Sequence, residues 1–263
     1  MNMDEHPAWE GLFLDKPFEF RFGARPGNAE EFFSDSSEHE ELIAHRHKII
    51  ASYPERHVFQ EPVAKAAVEE LAEWGGAPSM DCRGLALLWE QDFVVLLADA
   101  QGKEVFQAGV VCFPSSWRPE EKVGLPVYAI HSPVPTLNER LGEQIDKFIA
   151  GIKPDTAWER VNWGLSRSTE LNQHPDCEIP RLEPPFNLDQ VWVRREDQVL
   201  FRLPKTGALI FGINVLNISV AEIVANEEGQ VGLRRAVETM PEEIAKYKNL
   251  LKSREYLLAL LDA

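Results

Sequence analysis

The chain has 263 residues, of which 44% are hydrophobic and 27% charged, values typical of a globular protein that can bury one sizeable core. Its 43 acidic and 27 basic residues give a formal net charge of −16, a field that repels the phosphates of nucleic acids and anionic membrane surfaces. Composition therefore predicts no nucleic-acid and no membrane partner. It favours basic proteins and cationic small molecules.

The cysteines and the apolar runs bear on the cellular compartment. Cys82, Cys112 and Cys177 are odd in number and far apart, which argues against a disulfide framework. The first ten residues are polar and acidic, unlike a signal peptide, and no apolar run approaches the about 20 residues that span a bilayer. We therefore predict a cytoplasmic protein. Because no linker-like segment divides the chain, composition allows one large domain as well as two small ones.

The N-terminal part of the chain predicts an irregular segment followed by two helices. Residues 1–35 are rich in proline, glycine and phenylalanine and predict an irregular N-terminal arm. Apolar residues at helical spacing over 42–50 predict the first helix. A second helix is predicted to begin near Glu61-Pro62 and to end at Gly75-Gly76.

The middle of the chain predicts strands. The apolar runs 93–97 and 105–113 flank a turn at 99–102 and predict a hairpin, and residues 127–130 predict another strand. A helix is predicted from Thr136 to about Gly151. The alternation over 158–165 predicts a strand, with three residues on one face, Trp158, Arg160 and Asn162, and three on the other, Val161, Trp163 and Leu165.

The last part of the chain predicts strands and then a helix. Strands are expected at 191–193, 199–203 and 208–215, and a helix from Thr239 onwards. Helices at both ends of hairpin-linked strands predict an α+β fold. We expect a mostly antiparallel β-sheet packed by helices on one side, with N- and C-terminal helical extensions.

His131 lies in a stiff segment, Ala129-Ile-His-Ser-Pro-Val-Pro135. Proline fixes φ and pushes the preceding residue towards an extended conformation, so His131 is expected to leave a strand end onto a rigid spacer. Such a segment can hold an imidazole still as an iron ligand or as an acid or base. A structural histidine beside a turn is the alternative, and the sequence leaves both readings open.

Polar residues interrupt the predicted strands at three places. No His-x-x-x-His, Gly-x-Ser-x-Gly or glycine-rich phosphate loop occurs, so nucleophilic catalysis has little support. Each polar group fits either a solvated outer face of an antiparallel sheet or a pocket that holds a cofactor or a cationic ligand. These groups are Gln91-Asp92, Arg160 with Asn162, and Glu196 with Gln198.

Trp117 and Lys122 follow the predicted hairpin and a proline corner at Pro114. A large aromatic residue and a nearby lysine suit one wall of an aromatic pocket with an anion contact. Core packing with a surface lysine explains the same residues equally well.

Several segments occur in an order that is similar to a known family. They are Gln91-Asp92-Phe93, Gly-Val-Val-Cys-Phe-Pro-Ser-Ser-Trp at 109–117, Glu-Lys-Val-Gly at 121–124, the segment 129–135, Asn138-Glu139, Arg-Val-Asn-Trp at 160–163, Glu-Asp-Gln at 196–198, Leu-Pro-Lys-Thr-Gly at 203–207 and Met-Pro-Glu-Glu-Ile-Ala-Lys-Tyr-Lys at 240–248. Together, from about Glu38 onwards, they resemble the haem-dependent oxidative N-demethylase family, whose catalytic subunit is a PAS-like haem domain.

The resemblance implies a fold and a cofactor. It implies a single PAS-like haem-binding domain over 36–263 with flanking helices, after the arm of 1–35. The cofactor is a non-covalent haem b whose axial iron ligand aligns with His131, which leaves the other side of the iron open for dioxygen. The implied cofactor-binding residues besides His131 are Trp117, Lys122, Arg160 and Trp163, with Arg160 and Lys122 as contacts of the haem propionates.

The resemblance also implies an activity, that of an oxidoreductase of the monooxygenase type. It uses O2 and electrons from a reductase subunit to demethylate a small secondary amine such as dimethylamine. The cationic amine needs an acceptor, for which Glu196 is the first choice, Asp92 the second and Asn162 a neutral contact. The alternatives are a non-catalytic haem-binding PAS-like sensor or carrier, or an interaction module without a cofactor.

Two segments depart from the family pattern. Asp197 stands where the family tends to have a basic residue, and residues 211–216 replace a more polar strand end. Both are expected on the sheet that faces the ligand. They therefore predict that the substrate can differ even if haem is kept.

Overall fold

A computed structural model describes residues 7–19, 22–132 and 137–263, with the side chains of 137–141 left out. The strands of the described residues are β1 (Arg25–Gly27), β2 (Val58–Gln60), β3 (Asp92–Ala98), β4 (Glu104–Val110), β5 (Ala157–Ser166), β6 (Trp192–Arg202) and β7 (Leu209–Ser219). The α-helices are α1 (Ala29–Phe32), α2 (His39–Ser52), α3 (Pro54–His57), α4 (Lys65–Trp74), α5 (Cys82–Leu85), α6 (Val127–Ile130), α7 (Leu137–Gly151), α8 (Val220–Val224), α9 (Glu227–Thr239), α10 (Glu242–Tyr247) and α11 (Arg254–Leu261).

The strands form one seven-stranded antiparallel sheet in the order β1-β5-β6-β7-β3-β4-β2. The predicted α+β fold with a mostly antiparallel sheet is therefore confirmed. None of the helices in the described part of the chain combines the length and the apolar character that crossing a bilayer requires.

Helices cover both faces of the sheet. Val199 and Phe201 of β6 pack with residues of α2 and α4, and we call this side the α2 face. Leu200, between them, points the other way and packs with Ile145 and Ile149 of α7, and we call this side the α7 face. The prediction of helices on one side is wrong, because apolar residues of the central strands alternate towards two separate clusters.

β6 runs without a break through a polar stretch. The apolar runs predict two short strands, 191–193 and 199–203, and the polar residues Glu196 and Gln198 between them are expected to share a strand face. The strand instead covers 11 residues and keeps its register with both neighbours, so that Glu196 pairs with Asn162 of β5 and with Val215 of β7. The polar side chains of residues 194–198 face other polar groups. The backbone pairing of the strands therefore continues through a stretch that lacks hydrophobic alternation.

Residues 127–130 form the short helix α6 and not the predicted strand. A run of four apolar residues does not distinguish a strand from a helical turn. Pro126 precedes the helix with ψ 153, and the His131 N–H donates to Val127 O at 3.0 Å. His131 therefore follows the C-terminal end of a helix. The prolines 133 and 135 and the predicted helix start at Thr136 lie outside the described residues.

The N-terminal arm is more regular than predicted. β1 extends the sheet by pairing with β5, with Arg25 opposite Glu159. The Asn28 side chain caps α1, because its Oδ1 accepts the N–H groups of Glu30 at 3.0 Å and Glu31 at 3.3 Å. Phe33 then packs in the core cluster of the α2 face, whereas Phe22, before β1, packs against Phe148 of α7 on the other face.

The C-terminal part holds helices that the sequence analysis missed. Gly229 and Gly232 lower the helix propensity of α9. Both allow close packing: a Cβ on Gly232 would lie 2.6 Å from the Phe13 carbonyl oxygen. The single predicted C-terminal helix is divided into α10 and α11, with Asn249 in the left-handed region at φ 56 between them.

Glu70 of α4 fixes the turn between β6 and β7. Its carboxylate is 6% exposed and accepts the N–H of Lys205 at 2.6 Å and the N–H and hydroxyl of Thr206 at 2.7 and 2.6 Å.

Glu70→Gln puts an NH2 group against these donors, so we expect the free energy of unfolding to fall by about 2 kcal/mol. Urea denaturation measures this. Glu69→Gln, in an exposed pair with Lys65, is the control and should change it by less than about 0.5 kcal/mol. Equal urea midpoints for the two variants would contradict the assignment.

Candidate functional site

A cluster of polar side chains lies on the α7 face where β5 and β6 pair. The Glu196 carboxylate is at its centre. Asn162 Nδ2 and Gln198 Nε2 donate to Glu196 Oε2 at 3.1 and 2.9 Å, and Ser115 Oγ donates to Oε1. All three donors are uncharged. In the described residues no cationic side chain donates a hydrogen bond to this carboxylate. Neutral groups therefore hold it in place.

Arg194 holds Ser115 at this carboxylate. Arg194 Nε donates to Ser115 Oγ at 2.7 Å, and Nη2 donates to the carbonyl oxygens of Phe113 at 2.9 Å and Leu171 at 2.7 Å. Burial lowers the pKa of Arg194 to about 10, opposed by Glu196 and Asp92. Sequence analysis missed Ser115 and Arg194. The signal for Arg194 was its spacing of two from Glu196, which places both on one strand face.

Lys248 reaches the edge of β5 from the end of α10. Its Nζ donates to Trp163 O and, at 3.3 Å, to Asn162 Oδ1. Burial lowers the pKa of Lys248 to about 8, opposed by Glu196 and assisted by Arg160. An amide whose oxygen faces an ammonium group turns its NH2 group away. Lys248 therefore fixes Asn162 with its donor towards Glu196.

Arg160 lies two residues before Asn162 on the same strand face. Its guanidinium carbon is 4.9 Å from the Phe22 ring centroid. Nε is buried without a hydrogen-bond partner, and the side chain makes no hydrogen bond to any described residue. Burial lowers the pKa of Arg160, opposed by Glu196. A guanidinium with five donors and no acceptor is suited to bind an anion.

His131 lies close enough to Arg160 for their charges to interact. Burial and then the Arg160 charge lower the pKa of His131 to about 4. The imidazole is therefore neutral at pH 7, and its ring makes no hydrogen bond in the part of the chain that the structure describes. A neutral imidazole is the form that binds a metal. Ile130, beside it, belongs to the apolar cluster of the α7 face together with Trp117 and Trp158.

Asp92 is buried and paired with Arg46, and it does not line an open cavity. It has no exposed surface, and its Oδ1 accepts Arg46 Nη1 at 2.6 Å and the Cys112 N–H at 2.7 Å. Its Oδ2 accepts the Phe113 N–H at 2.8 Å. A carboxylate so engaged and so buried leaves no surface for an amine, and the geometry favours a structural role.

Two other predicted residues lie apart from the cluster. Trp163 points to the α2 face, opposite Asn162, where its ring packs edge-to-face with Phe13 at 5.0 Å and Phe18 at 6.2 Å. Lys122 follows a 3₁₀ turn, Pro119–Glu121, and no side-chain hydrogen bond or ion pair joins it to the polar cluster in the described residues. Its neighbour Val123 packs in the same apolar cluster as Ile130.

Asp197 also lies on the α2 face, because it alternates with Glu196 along β6. It accepts Arg195 Nε at 2.8 Å and pairs in register with Asn214 of β7. Asp197 therefore lies on the expected sheet, but its side chain is on the opposite face from Glu196. A departure from the family pattern at this residue therefore does not alter the groups beside Glu196.

The donor set at His131 limits the kind of metal that it can hold. The described residues contain no group of three or more His, Cys, Asp or Glu side chains placed to hold a metal ion. A lone imidazole fits an iron whose other ligands are supplied by a porphyrin. The unpartnered Arg160 guanidinium and the apolar wall with Trp117 fit the carboxylates and the ring of the same group.

The fold and this site define an α+β protein with a cluster of polar side chains around Glu196 on one face of its sheet and the neutral imidazole of His131 beside Arg160. A family model described as "haem-dependent oxidative N-demethylase, alpha subunit-like" matches residues 77–258. The chain belongs to this family, as the resemblance predicted. The family is haem-dependent and oxidative, and the matched segment contains His131, Arg160, Glu196 and Lys248.

Proposed function

We propose that this protein is the haem-binding, catalytic subunit of a monooxygenase that demethylates a small secondary amine such as dimethylamine. The observation that carries the proposal is the Glu196 carboxylate, held only by neutral donors, on the same sheet face as the neutral imidazole of His131. A secondary amine is protonated near neutral pH and needs a carboxylate as its partner.

His131 would ligate the iron of a non-covalent haem b, with Trp117 in the apolar wall. When bound, the haem supplies the dioxygen chemistry that oxidises the methyl carbon. Arg160, with its unpartnered donors, and Lys122 would bind the propionates. Charge supports this assignment, because the cations Arg160, Arg194 and Lys248 around Glu196 exceed the single carboxylate by two. Two propionates would offset that excess.

Glu196 would bind and orient the ammonium group of the substrate. Ser115, Asn162 and Gln198 fix both oxygens of the carboxylate, so little reorganisation accompanies binding. Lys248 keeps the Asn162 amide in the orientation that supports Glu196. Trp158 and the rest of the α7-face cluster limit the entry of water beside these groups.

The electrons would come from a separate reductase subunit. The family description, alpha subunit-like, supports a protein that works with another subunit. The net charge of −16 favours a partner with a basic docking surface.

The proposed compartment is the cytoplasm. All three cysteines are free, and burial raises the pKa of Cys82 and of Cys112 to about 12. Thiols kept in this state suit a reducing environment.

Removing the His131 imidazole tests the haem assignment. We expect the haem-loaded protein to show a Soret band that His131→Ala loses or shifts, because the iron loses its only protein ligand. Added imidazole should restore the spectrum, and His47→Ala, which removes an exposed histidine on α2, is the control. An unchanged spectrum in His131→Ala would show that His131 is not the haem ligand. Haem binding without amine-dependent oxygen uptake in the presence of a reductant would instead indicate a sensor or carrier.

A further inference from the structure

A second cleft lies on the α2 face, on the opposite side of the sheet from Glu196. Its volume is about 330 Å³, in the range of sites for small ligands. The arm forms one wall with Glu31 and Phe32, and Glu90 lies in the wall nearest the core.

The floor of the cleft is a row of polar side chains across three neighbouring strands. Asp197 of β6 pairs with Asn214 of β7. Ile213 of β7 pairs with Asp92 of β3, so Gln91, which precedes Asp92, continues the row beside Asn214. Asn214 makes no side-chain hydrogen bond to the described residues. The floor therefore offers a carboxylate and two amides to whatever enters.

Negative charge predominates in this cleft. Five carboxylates line it and two guanidinium groups offset them, since the third arginine at its border, Arg160, has its guanidinium over Phe22 on the α7 face. Glu159 is 3.5 Å from Arg25 and Asp197 is 2.8 Å from Arg195. Glu31, Asp35 and Glu90 form no salt bridge with an arginine in the described residues, and His39 lies 3.1 Å from Asp35 and 3.7 Å from Glu90. Ser36 donates to both oxygens of Glu90 at 2.7 and 2.9 Å, and the buried Arg46 interacts with Glu90 from the core side.

Gln91 gives independent support for a ligand in this cleft. The side chain is 3% exposed, and its Nε2 donates to Ser34 O at 3.2 Å and lies 3.5 Å from Glu90 Oε1. Its Oε1 is buried without a hydrogen-bond partner. A buried acceptor without a donor is unfavourable, because it has lost its hydrogen bonds to water and gained none in the protein. An N–H group entering beside Ser34 and Glu90 would supply that donor.

We propose that this cleft binds a small organic cation that carries N–H donors, an alkylammonium or guanidinium ion. The described residues lack a cluster of carboxylates, histidines or cysteines close enough to hold a metal ion, which favours an organic cation. Carboxylates attract its charge, the Gln91 and Asn214 amides accept its N–H groups, and the Phe32 ring provides an aromatic surface for its alkyl or planar part. The site does not depend on haem or on the amine site at Glu196.

The probe is 1,4-diaminobutane, titrated into the full-length protein by calorimetry at constant ionic strength. We expect Asp197→Asn to weaken binding at least about tenfold, because a close charge partner is lost. Glu143→Gln, whose side chain is 90% exposed on α7, is the control for the overall negative charge and should change the affinity less than twofold. Glu196→Gln is a second test variant: because Glu196 is itself proposed to bind an ammonium group on the opposite face of the sheet, this variant shows whether the probe binds there instead.

Glu31→Gln tests the same site without touching the sheet. Glu31 is exposed on α1, so the variant is expected to fold normally and to weaken binding about threefold. Binding that persists unchanged in both Asp197→Asn and Glu31→Gln would overturn the proposal, as would a wild-type protein without measurable heat at about 1 mM probe. Loss of binding in Glu196→Gln alone would assign the cation to the other face of the sheet and overturn it too.

Discussion

Glu196→Gln is expected to lower kcat/KM for a secondary amine by about 10²-fold while the haem spectrum keeps its position. The substitution preserves the shape of the side chain and removes the charge that pairs with the ammonium group. It also turns an NH2 group towards either Ser115 or the Asn162 and Gln198 amides, all of which donate to the carboxylate. A 10²-fold loss corresponds to about 2.7 kcal/mol of transition-state stabilisation, within the range for a hydrogen-bonded charge partner.

The measurement is amine-dependent oxygen uptake with a reductant, over a range of amine concentrations. Glu255→Gln, at an exposed residue of α11, is the control for charge and should retain the wild-type value. Lys248→Met should show a smaller fall than Glu196→Gln, because it frees the Asn162 amide to rotate and leaves the carboxylate in place. Wild-type kcat/KM in Glu196→Gln would exclude Glu196 as the amine partner.

The sequence predicted the parts of the fold that local pattern determines. The helices α2 and α4, the β3–β4 hairpin and the face-by-face alternation along β5 follow from hydrophobic spacing and from turn residues. The same spacing placed Arg160 with Asn162, and Glu196 with Gln198, on shared faces. The alternation of side chains between the two faces of a strand is a reliable guide there, because it does not depend on whether the residues are apolar or polar.

Long-range contacts could not be predicted. Ser115 and Glu196 are 81 residues apart, and Lys248 and Asn162 are 86 apart, so no local pattern links them. The helix α6 was misassigned because four apolar residues fit either a strand or a helical turn. Likewise, the close packing of Gly229 and Gly232 against Ile223 and Phe13, which lets a glycine-containing segment form α9, involves contacts that the local sequence does not show.

Asp92 shows the same limit of sequence analysis. Its contacts also lead us to expect a large loss of stability when it is replaced. Its carboxylate lies between the Arg46 guanidinium and the N–H groups of Cys112 and Phe113, all without contact with water. Arg46 Nε donates to Ala86 O at 2.9 Å and Nη1 to Glu90 O at 3.2 Å, so the pair ties α2 to β3. From the sequence alone, a carboxylate that precedes an apolar strand can be taken for a residue that binds a ligand. Its partner in α2 is 46 residues away.

Asp92→Asn is expected to lower the free energy of unfolding by about 3–4 kcal/mol. It leaves the buried Arg46 charge without a counter-charge and sets an NH2 group against a backbone donor. Guanidinium chloride denaturation measures the change, and Asp15→Asn, at an exposed residue of the arm, should stay within about 0.5 kcal/mol of the wild type. Arg46→Met combined with Asp92→Asn should cost less than the sum of the single changes, because neither charge is then left alone.

The same variant separates the structural role of Asp92 from a role in amine binding. Asp92 holds the N–H of Phe113, whose carbonyl accepts Arg194 Nη2, and Arg194 in turn holds Ser115 at Glu196. Loss of this anchor should therefore lower stability first and activity only through the displaced Ser115. Amine oxidation that falls 10²-fold or more while the unfolding free energy stays at the wild-type value would show instead that Asp92 contacts the amine.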